Sequence, residues 1–442
     1  MKHTQEKKSI IVKPVNRPLK GSIRIPSDKS ISHRAVMLGA LTNGIVEISN
    51  FSAGADCRST LGIFQALGVE VEYKSDKNII LSSKNGLRES IDCLDAGNSG
   101  TTTRLMAGLL SGQNFYSVIT GDQSLRSRPM ARVIKPLKQM GASIWARESD
   151  TKAPISIKGT QLTGITYESP MASAQIKSSL LFAGLFASGK TVINEPYKSR
   201  DHSEKMLSYL GANLVDSGNT VEISASNLQP KPLIIPGDIS SAAFFIVAAC
   251  IVPDSEIIIQ DVGLNPTRTG IVDVMREMGA DIEILDLKTQ CGEEVGDIKV
   301  KFSDLKGITI SGDMIPRIID EIPVIAVAAS QATGTTIIKN AEDLRNKESD
   351  RIKTVCNELS KFGVDITETP DGFIISGKTN LKGKNVLECY HDHRIAMSCY
   401  IAGLISDNPN EINEFHWVNI SFPEFVDTVN KLLNKGELIY GK

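Results

Sequence analysis

The chain has 442 residues, of which 41% are hydrophobic and 23% are charged, proportions typical of a folded globular protein. Disordered and fibrous classes are therefore excluded. The net charge is −2, with acidic and basic residues interspersed, so the chain lacks the strong positive field of most nucleic-acid and anionic-membrane binding proteins.

The cysteines and the amino-terminal segment bear on the compartment. Seven cysteines are scattered without a CxxC pair, which argues against a disulfide framework or a structural zinc site. The segment Met1 to Ser9 is polar and leads into no hydrophobic core, and no apolar run approaches the ~18 residues that a membrane span requires. We expect a cytoplasmic protein with no nucleic-acid or membrane partner.

One sequence pattern recurs at intervals of about seventy residues. Each copy reads as a strand, a polar cluster, an apolar helix, a second strand, an amphipathic helix and a glycine turn into another strand. The glycine that a left-handed helix C-cap favours recurs in five copies, at Leu67-Gly68-Val69, Met140-Gly141-Ala142, Leu210-Gly211-Ala212, Met278-Gly279-Ala280 and Phe362-Gly363-Val364. A sixth copy begins near Val386 and lacks the final strand. The pattern predicts an α/β fold of six units.

The first helix of each unit is apolar on all sides, which is typical of a buried helix. Examples are Ala35 to Leu41, Leu105 to Leu110, Ile176 to Phe186, Ala242 to Cys250 and Ile322 to Ala329. A polar cluster precedes each, at Ser27 to Ser30, Asn98 to Thr101, Ser173 to Gln175, Asp238 to Ser241, Asp320-Glu321 and Asp392 to Arg394. Any single cluster is explained by helix capping alone. Six in register suggest that helix N-termini converge on a region that attracts anions.

Proline and glycine punctuate the chain at Gln229 to Pro232 and at Pro236-Gly237, which suggests a crossing between lobes. We predict a lobe 1 of residues 1–26 plus 236–442 and a lobe 2 of residues 27–235. Each lobe has three units, and the buried helices point their N-termini at the interlobe cleft.

Two motifs suggest other chemistry, but their contexts argue against it. Gly184 to Thr191 matches the phosphate-binding P-loop pattern, yet it closes a predicted helix and opens a strand, the reverse of a P-loop. His391-Asp392-His393 has no partner ligand cluster in a chain of six histidines, so we interpret it as a helix cap with surface histidines. We expect neither a metal nor a cofactor.

Cationic residues lie beside several of the predicted helix starts, where an isolated positive charge is unfavourable. They are Lys29, Arg34, Arg128, Arg200, Lys347, Arg351 and Arg394. A solvated surface explains each one taken singly. Together they predict a site for a small and highly charged anion, because guanidinium groups grip carboxylate and phosphate in bidentate fashion.

Seven segments, in order along the chain, resemble the 5-enolpyruvylshikimate-3-phosphate synthase family of enolpyruvyl transferases. They are Pro26 to Arg34, Gly97 to Leu105, Arg128 to Met130, Pro170 to Ser178, Arg200 to Lys205, Lys347 to Arg351 and Asp392 to Arg394. The Ser173-Ala174-Gln175 and Arg200-Asp201-His202 segments resemble the second, bacterial class. The resemblance implies a two-lobed inside-out α/β barrel. It also implies carboxyvinyl transfer from phosphoenolpyruvate to shikimate 3-phosphate in aromatic amino-acid biosynthesis, a target of glyphosate, by a monomer.

The resemblance also implies roles for individual residues. Shikimate 3-phosphate would be held by Lys29, Ser30, Arg34, Ser173, Gln175, Arg200, Asp320 and Lys347. Phosphoenolpyruvate would be held by Lys29, Gly100, Arg128, Gln175, Arg351 and Arg394. Asp320, Glu348 and Lys29 would carry the proton transfers.

The sequence departs from the family pattern at two positions. Ile420 precedes Ser421-Phe422-Pro423, where family members often have a lysine, so one phosphoenolpyruvate contact is missing from that place. Ala174 stands where other members have a second serine, which removes one hydroxyl donor for the substrate phosphate.

Two alternatives differ in function. The related UDP-N-acetylglucosamine enolpyruvyl transferases use a loop cysteine as general acid and lack the Ser-Asp-Lys-Ser segment, and no cysteine of this chain lies in a loop of the Pro-Gly-Gly-Cys type. A catalytically inactive scaffold would be expected to lose some of the charged cap residues, yet Lys29, Asp320, Glu348 and Arg394 are all present.

Overall fold

The structure is a computed structural model that describes residues 9–434. The predicted polar start of the chain, apart from Ser9, and the last eight residues of lobe 1 lie outside the described residues. The strands are β1(Ile10–Val12), β2(Lys20–Arg24), β3(Ile45–Ser49), β4(Glu70–Ser75), β5(Asn78–Ser82), β6(Leu94–Asp95), β7(Tyr116–Thr120), β8(Ser143–Ala146), β9(Lys152–Lys158), β10(Thr166–Glu168), β11(Lys190–Asn194), β12(Leu214–Ser217), β13(Thr220–Ser224), β14(Leu233–Ile234), β15(Glu256–Gly263), β16(Asp281–Gln290), β17(Glu293–Lys301), β18(Thr309–Ile310), β19(Gly334–Ile338), β20(Asp365–Thr369), β21(Gly372–Gly377), β22(Val386–Leu387) and β23(Asn410–Ile412).

The helices are α1(Lys29–Gly39), α2(Ala55–Ala66), α3(Gly100–Ser111), α4(Gln123–Ser127), α5(Ala131–Gln139), α6(Arg147–Asp150), α7(Ala174–Gly184), α8(His202–Tyr209), α9(Ile239–Ile251), α10(Gly270–Glu277), α11(Met314–Ile318), α12(Ile322–Gln331), α13(Arg351–Lys361), α14(His393–Gly403) and α15(Phe425–Asn434). Two 3₁₀ helices cover Glu342–Asn346 and Phe415–Ile420.

The chain divides into two compact units, called unit 1 and unit 2, which are distinct from the six repeated units of the sequence pattern. Unit 1 contains the chain up to Pro26, Gly237–Lys288 and the chain from Glu294, whereas unit 2 contains Ser27–Pro236 and Thr289–Glu293. Each unit has its own hydrophobic core of buried aliphatic and aromatic side chains. The lobe boundaries given above stay a prediction.

Among residues 9–434, each unit contains three small sheets. The strand orders in unit 2 are β14-β3-β5-β4, β6-β7-β9-β8 and β10-β11-β13-β12, and those in unit 1 are β16-β17-β15-β2, β18-β19-β21-β20 and β1-β23-β22. In the unit 2 sheets the first pair of strands is parallel and the others are antiparallel. The sixth sheet has three strands because β1, from the start of the chain, pairs with β23.

The chain passes from one unit to the other at Pro26-Ser27 and at Pro236-Gly237. The strand before each of these two crossings pairs with a strand that is distant in sequence. Strand β2 precedes α1 in the chain but pairs in parallel with β15, about 235 residues later. Strand β14 precedes α9 but pairs in parallel with β3. At each crossing, therefore, the strand belongs to one unit and the helix that directly follows it in the chain belongs to the other.

The predicted helix capping is confirmed in five of the six places. Side chains that accept a hydrogen bond from a backbone N–H of the first helical turn belong to Asp28, Ser99, Ser173, Asp238 and Asp392. The sixth prediction, a cap from Asp320-Glu321 on α12, is wrong: Glu321 occupies the N-cap position without a side-chain cap bond, and Pro323 in the first turn removes one of the free donors. The Asp320 carboxylate bonds Arg351 instead.

Helix ends also follow the sequence. The glycines at the five predicted helix exits have φ between 82° and 99°, the left-handed conformation that glycine adopts without strain. The segment that matches the P-loop pattern closes α7 and leads into β11, so the sequence interpretation of that segment is confirmed.

Helices α3 and α7 approach so closely that only glycine fits at one contact. A Cβ at Gly108 would lie 1.9 Å from the carbonyl oxygen of Ser179, whereas a Cβ at Gly62, on the exposed side of α2, meets no atom within 4 Å. Close packing leaves no room for the first methyl group.

We expect Gly108→Ala to lower the free energy of unfolding by about 1–3 kcal/mol, because the added methyl forces the two helices apart. The matched variant Gly62→Ala should raise it by about 0.5–1 kcal/mol, because alanine loses less backbone entropy in a helix. Urea unfolding followed by circular dichroism measures both. Equal midpoints for Gly108→Ala and the wild type would contradict the close contact.

Candidate active site

The start of α1 in unit 2 carries three predicted site residues, Lys29, Ser30 and Arg34. Asp28 caps the helix by accepting from the Ile31 N–H, which leaves Lys29 as its first residue. The Lys29 Nζ lies 3.2 Å from a carboxylate oxygen of Asp56. Asp56 lies in the first turn of α2, and no sequence pattern predicts this pairing because the partners belong to different helices.

Arg34 is buried and joins three segments of unit 2. Its guanidinium donates to the Ser203 Oγ (2.7 Å), the Ser178 Oγ (2.9 Å) and the Ser30 carbonyl (2.9 Å). Burial lowers the pKa of Arg34 to about 10; the carboxylates of Glu204 and Asp28 oppose this, and the positive charge of Arg200 adds to it. Arg34 therefore connects α1 to α7 and α8, with Arg200 within electrostatic reach.

Gly100 and Arg128 lie together at the start of α3. A Cβ on Gly100 would be 2.9 Å from the Arg104 Nη1 and 3.5 Å from the Arg128 Nη1. Arg128 donates to the Asn98 side-chain oxygen (2.6 Å). A small anion at this helix start would meet backbone N–H groups and guanidinium groups at once.

Gln175, in the first turn of α7, is oriented by two residues of α3. Its side-chain oxygen accepts from the Arg104 Nη1 (2.7 Å), and its nitrogen donates to the Thr101 Oγ1 (3.2 Å). The prediction assigned no role to Arg104, although its place four residues after Gly100 puts both on one face of the helix. Arg104 therefore bonds one predicted phosphoenolpyruvate residue, Gln175, from the same face of α3 that carries another, Gly100.

A buried polar chain runs between α1 and α3. The His33 Nδ1 lies 2.7 Å from the Thr60 Oγ1, which lies 2.7 Å from the Thr102 Oγ1, which in turn donates to the Ser99 Oγ. Burial lowers the pKa of His33 to about 3, so this imidazole is neutral at physiological pH. This series of hydrogen-bonded side chains connects the starts of α1 and α3 without adding charge.

In unit 1, Arg351 gathers three carboxylates. Its side chain is 1% exposed, and it contacts the Asp392 Oδ2 (2.8 Å), the Glu348 Oε2 (2.7 Å) and the Asp320 Oδ1 (3.2 Å). Burial alone would lower the pKa of Arg351, but these carboxylates outweigh it and raise the pKa above its usual value. The structure therefore brings both predicted proton-transfer carboxylates to one guanidinium.

Arg394 and Lys347 lie beside the same group of residues. Arg394 donates to the Asp320 carbonyl (3.1 Å), and its guanidinium is 4.0 Å from the carboxylates of Asp320 and Glu321. Lys347, next to Glu348 in the chain, pairs with Asp343 at 3.2 Å. The sequence analysis assigned no role to Glu321, which adds negative charge beside Arg394, or to the contact of Asp392 with Arg351.

The interpretation of His391-Asp392-His393 needs one correction. Asp392 caps α14 as predicted, and His391 is exposed, but His393 is buried because it is the first residue of a buried helix. Within residues 9–434, no group of three or more His, Cys, Asp or Glu side chains has an arrangement that could hold a metal ion, and no helix is long and apolar enough to cross a membrane. Ile420 ends the second 3₁₀ helix.

Both the sequence and the structure of this chain are similar to those of known proteins. Residues 14–429 match the family model described as EPSP synthase (3-phosphoshikimate 1-carboxyvinyltransferase). A 3-phosphoshikimate 1-carboxyvinyltransferase of Petrotoga mobilis is 51% identical over 94% of this chain and 97% of its own length. Another, from a Thermoanaerobacter species, is 52% identical over 94% of this chain and 98% of its own length.

Solved structures agree. An EPSP synthase of Acinetobacter baumannii superposes with a TM-score of 0.87 at 41% identity, over 96% of this chain and 98% of that one. The enolpyruvyl transferase NikO of Streptomyces tendae shares the fold, with a TM-score of 0.80 at 17% identity over 96% of this chain and 98% of that one. The mixed α/β fold, the full-length family match and the relatives at about half identity lead to one conclusion: the chain belongs to the EPSP synthase, or 3-phosphoshikimate 1-carboxyvinyltransferase, family.

Proposed function

We propose that this chain transfers the carboxyvinyl group of phosphoenolpyruvate to the 5-hydroxyl of shikimate 3-phosphate and releases phosphate, with the residues of the two units in the roles given below. The reaction belongs to the shikimate pathway, which supplies aromatic amino acids. The observation that carries these roles is the arrangement around Arg351, where Asp320 and Glu348 each bond one terminal nitrogen of a single guanidinium.

The binding roles divide between the substrates. Shikimate 3-phosphate is held by Lys29, Ser30, Arg34, Ser173, Gln175, Arg200, Asp320 and Lys347, and phosphoenolpyruvate by Lys29, Gly100, Arg128, Gln175, Arg351 and Arg394. Both substrates carry a phosphate and a carboxylate, so guanidinium groups and helix N-termini are the complementary donors. The contact of Arg104 with Gln175 supports the placing of that amide.

The proton transfers fall to Asp320, Glu348 and Lys29. Attack of the 5-hydroxyl on C2 of phosphoenolpyruvate requires a proton to leave the hydroxyl and another to reach the methylene carbon. The tetrahedral ketal phosphate that results then loses a proton from its new methyl group and expels phosphate, which restores the carbon–carbon double bond. Two carboxylates and an ammonium group serve as proton acceptor and donors, and the arginines stabilise the charge on the departing phosphate.

The assembly and the compartment belong to the proposal as well. We infer a cytoplasmic monomer whose six units form an inside-out barrel of two lobes, with the buried helices directed at the cleft between the lobes. The sequence resemblance supports this picture. Neither a metal nor a cofactor takes part in the proposed chemistry.

The direct test is a phosphate-release assay with purified protein, phosphoenolpyruvate and shikimate 3-phosphate. We expect release that depends on both substrates. Release with UDP-N-acetylglucosamine in place of shikimate 3-phosphate would identify the alternative transferase. Absence of release with either acceptor would point to an inactive scaffold.

We expect Asp320→Asn to lower kcat by about 10²-fold or more, because a general acid or base contributes about 10²–10⁴ to the rate. The asparagine oxygen still accepts from the Arg351 Nη1, so KM for both substrates should change far less. The matched control Asp273→Asn removes a carboxylate that pairs with Arg317 in the same unit and should leave kcat unchanged. Near wild-type turnover of folded Asp320→Asn would contradict the catalytic role.

Gly100→Ala should raise the inhibition constant of glyphosate more than it raises KM for phosphoenolpyruvate. The added methyl is directed at the Arg104 and Arg128 guanidinium groups, and glyphosate, which the family resemblance implies is the longer ligand, has less space to spare there. Steady-state inhibition kinetics measure both constants, with Gly62→Ala as the control. Equal changes in the two constants would show that Gly100 does not line this subsite.

A further inference from the structure

Unit 2 contains a buried ionic cluster to which the proposed chemistry assigns no role. The Lys177 Nζ, on α7, lies 2.7 Å from a carboxylate oxygen of Glu195 and 2.7 Å from one of Glu204. The Lys177 side chain is 1% exposed and both glutamate side chains are 2% exposed. Burial of such charges costs several kcal/mol per ion unless hydrogen bonds satisfy them, so the remaining contacts of these carboxylates matter.

Glu195 uses its carboxylate to join two backbone segments. One oxygen accepts from the Ser173 N–H (3.2 Å), and the other accepts from the Ser199 N–H (3.3 Å) and from the Lys177 Nζ. Lys177 donates in addition to the Ser199 carbonyl (3.2 Å). The backbone positions of Ser173 and Ser199 are therefore both fixed relative to a single side chain.

Both segments carry residues proposed to hold shikimate 3-phosphate. Ser173 is itself one of them and caps α7, and Arg200 directly follows Ser199. The other end of the cluster reaches a third, because Ser203 precedes Glu204 in α8 and accepts from the Arg34 Nε. The segments that carry Ser173, Arg200 and Arg34 are thus all connected to the same buried cluster of Lys177, Glu195 and Glu204.

A second lysine lies beside this cluster. The Lys198 Nζ is 3.8 Å from a carboxylate oxygen of Glu204 and 2.6 Å from one of Asp216, so Lys198 pairs mainly with Asp216. Lys177 is the lysine that both buried glutamates share. Replacing the Glu195 carboxylate by an amide makes the net charge of the cluster more positive by one, which electrostatics alone would make more favourable to an anion.

We propose that Glu195 is a positioning residue for shikimate 3-phosphate, which sets the spacing between Ser173 and Arg200 through its two oxygens. This inference rests on the proposed function, since it takes those two residues as ligands of that substrate. Glu195 touches neither substrate and acts through the backbone of the residues that do.

The variant Glu195→Gln distinguishes a positioning role from an electrostatic one, because the two roles predict opposite changes in KM for shikimate 3-phosphate. The amide has one acceptor oxygen where the carboxylate has two, so at least one backbone contact is lost and KM for shikimate 3-phosphate should rise by at least about tenfold. A purely electrostatic role predicts the opposite, because the variant has one more net positive charge near an anion. KM for phosphoenolpyruvate should stay within about twofold.

The control is Glu358→Gln in unit 1, which also removes a buried carboxylate. Glu358 accepts from Lys361, from the Tyr390 hydroxyl and from the Glu388 N–H, and none of these residues has a proposed substrate contact. Thermal unfolding of both variants shows how far each loses stability, and both KM values of Glu358→Gln should match those of the wild type.

A double variant tests the route of the effect. If Glu195 acts through Ser173, the rise in KM for shikimate 3-phosphate caused by Glu195→Gln should shrink in a Ser173→Ala background. Should Glu195→Gln fail to fold, Glu195→Asp, which keeps the charge but withdraws the oxygens, should show the same selective rise.

Three results would overturn the inference. An unchanged or lowered KM for shikimate 3-phosphate would exclude positioning, and equal rises for both substrates would indicate a general loss of structure. Full additivity with Ser173→Ala would show that Glu195 does not act through that residue. A wild-type protein that releases no phosphate would instead remove the proposed function on which the inference rests.

Discussion

The constraint on which the rest of this structure depends is the burial of helices that are apolar on every side. Such a helix has no polar face to offer water, and the unpaired backbone groups at its ends have to be satisfied within the protein. In five of the six buried helices a side chain satisfies an N-terminal donor. Polar residues consequently collect at helix starts, and the residues with proposed roles are found there because the fold leaves few other places for them.

A helix start is positive, and most of the proposed ligands are cations, so each cation requires a partner. Lys29 pairs with Asp56, Lys347 with Asp343, and Arg351 with three carboxylates. These partners stabilise the folded chain, because without them each cation would be repelled by the positive helix start beside it. They also define what an anionic substrate has to replace, which makes the partner of each cation as informative as the cation.

The sequence predicted features that depend on local periodicity and missed those that depend on distant contacts. The buried helices and the glycine exits follow from patterns within one helix, and the structure agrees with them. The predicted cap on α12 is absent because both carboxylates accept from distant segments: Asp320 accepts from Arg351, and Glu321 accepts from the Ser240 hydroxyl. Likewise Asp56, Arg104 and Glu195 acquire their roles from partners on other elements, and nothing in a single sequence specifies which elements meet.

The hydrogen-bond acceptors of Arg34 and Arg128 in unit 2 differ in charge from those of Arg351 in unit 1. In unit 2, Arg34 donates to two serine hydroxyls and a carbonyl, and Arg128 donates to an amide oxygen. In unit 1, Arg351 is held by carboxylates. Neutral acceptors bind a guanidinium less strongly than charged ones do, so an arriving phosphate or carboxylate displaces the neighbours of Arg128 at lower cost than those of Arg351. Under the proposed function, unit 2 is therefore the stronger attractor of anions. Unit 1 holds Asp320 and Glu348 on the same guanidinium, which orients both carboxylates before substrate arrives.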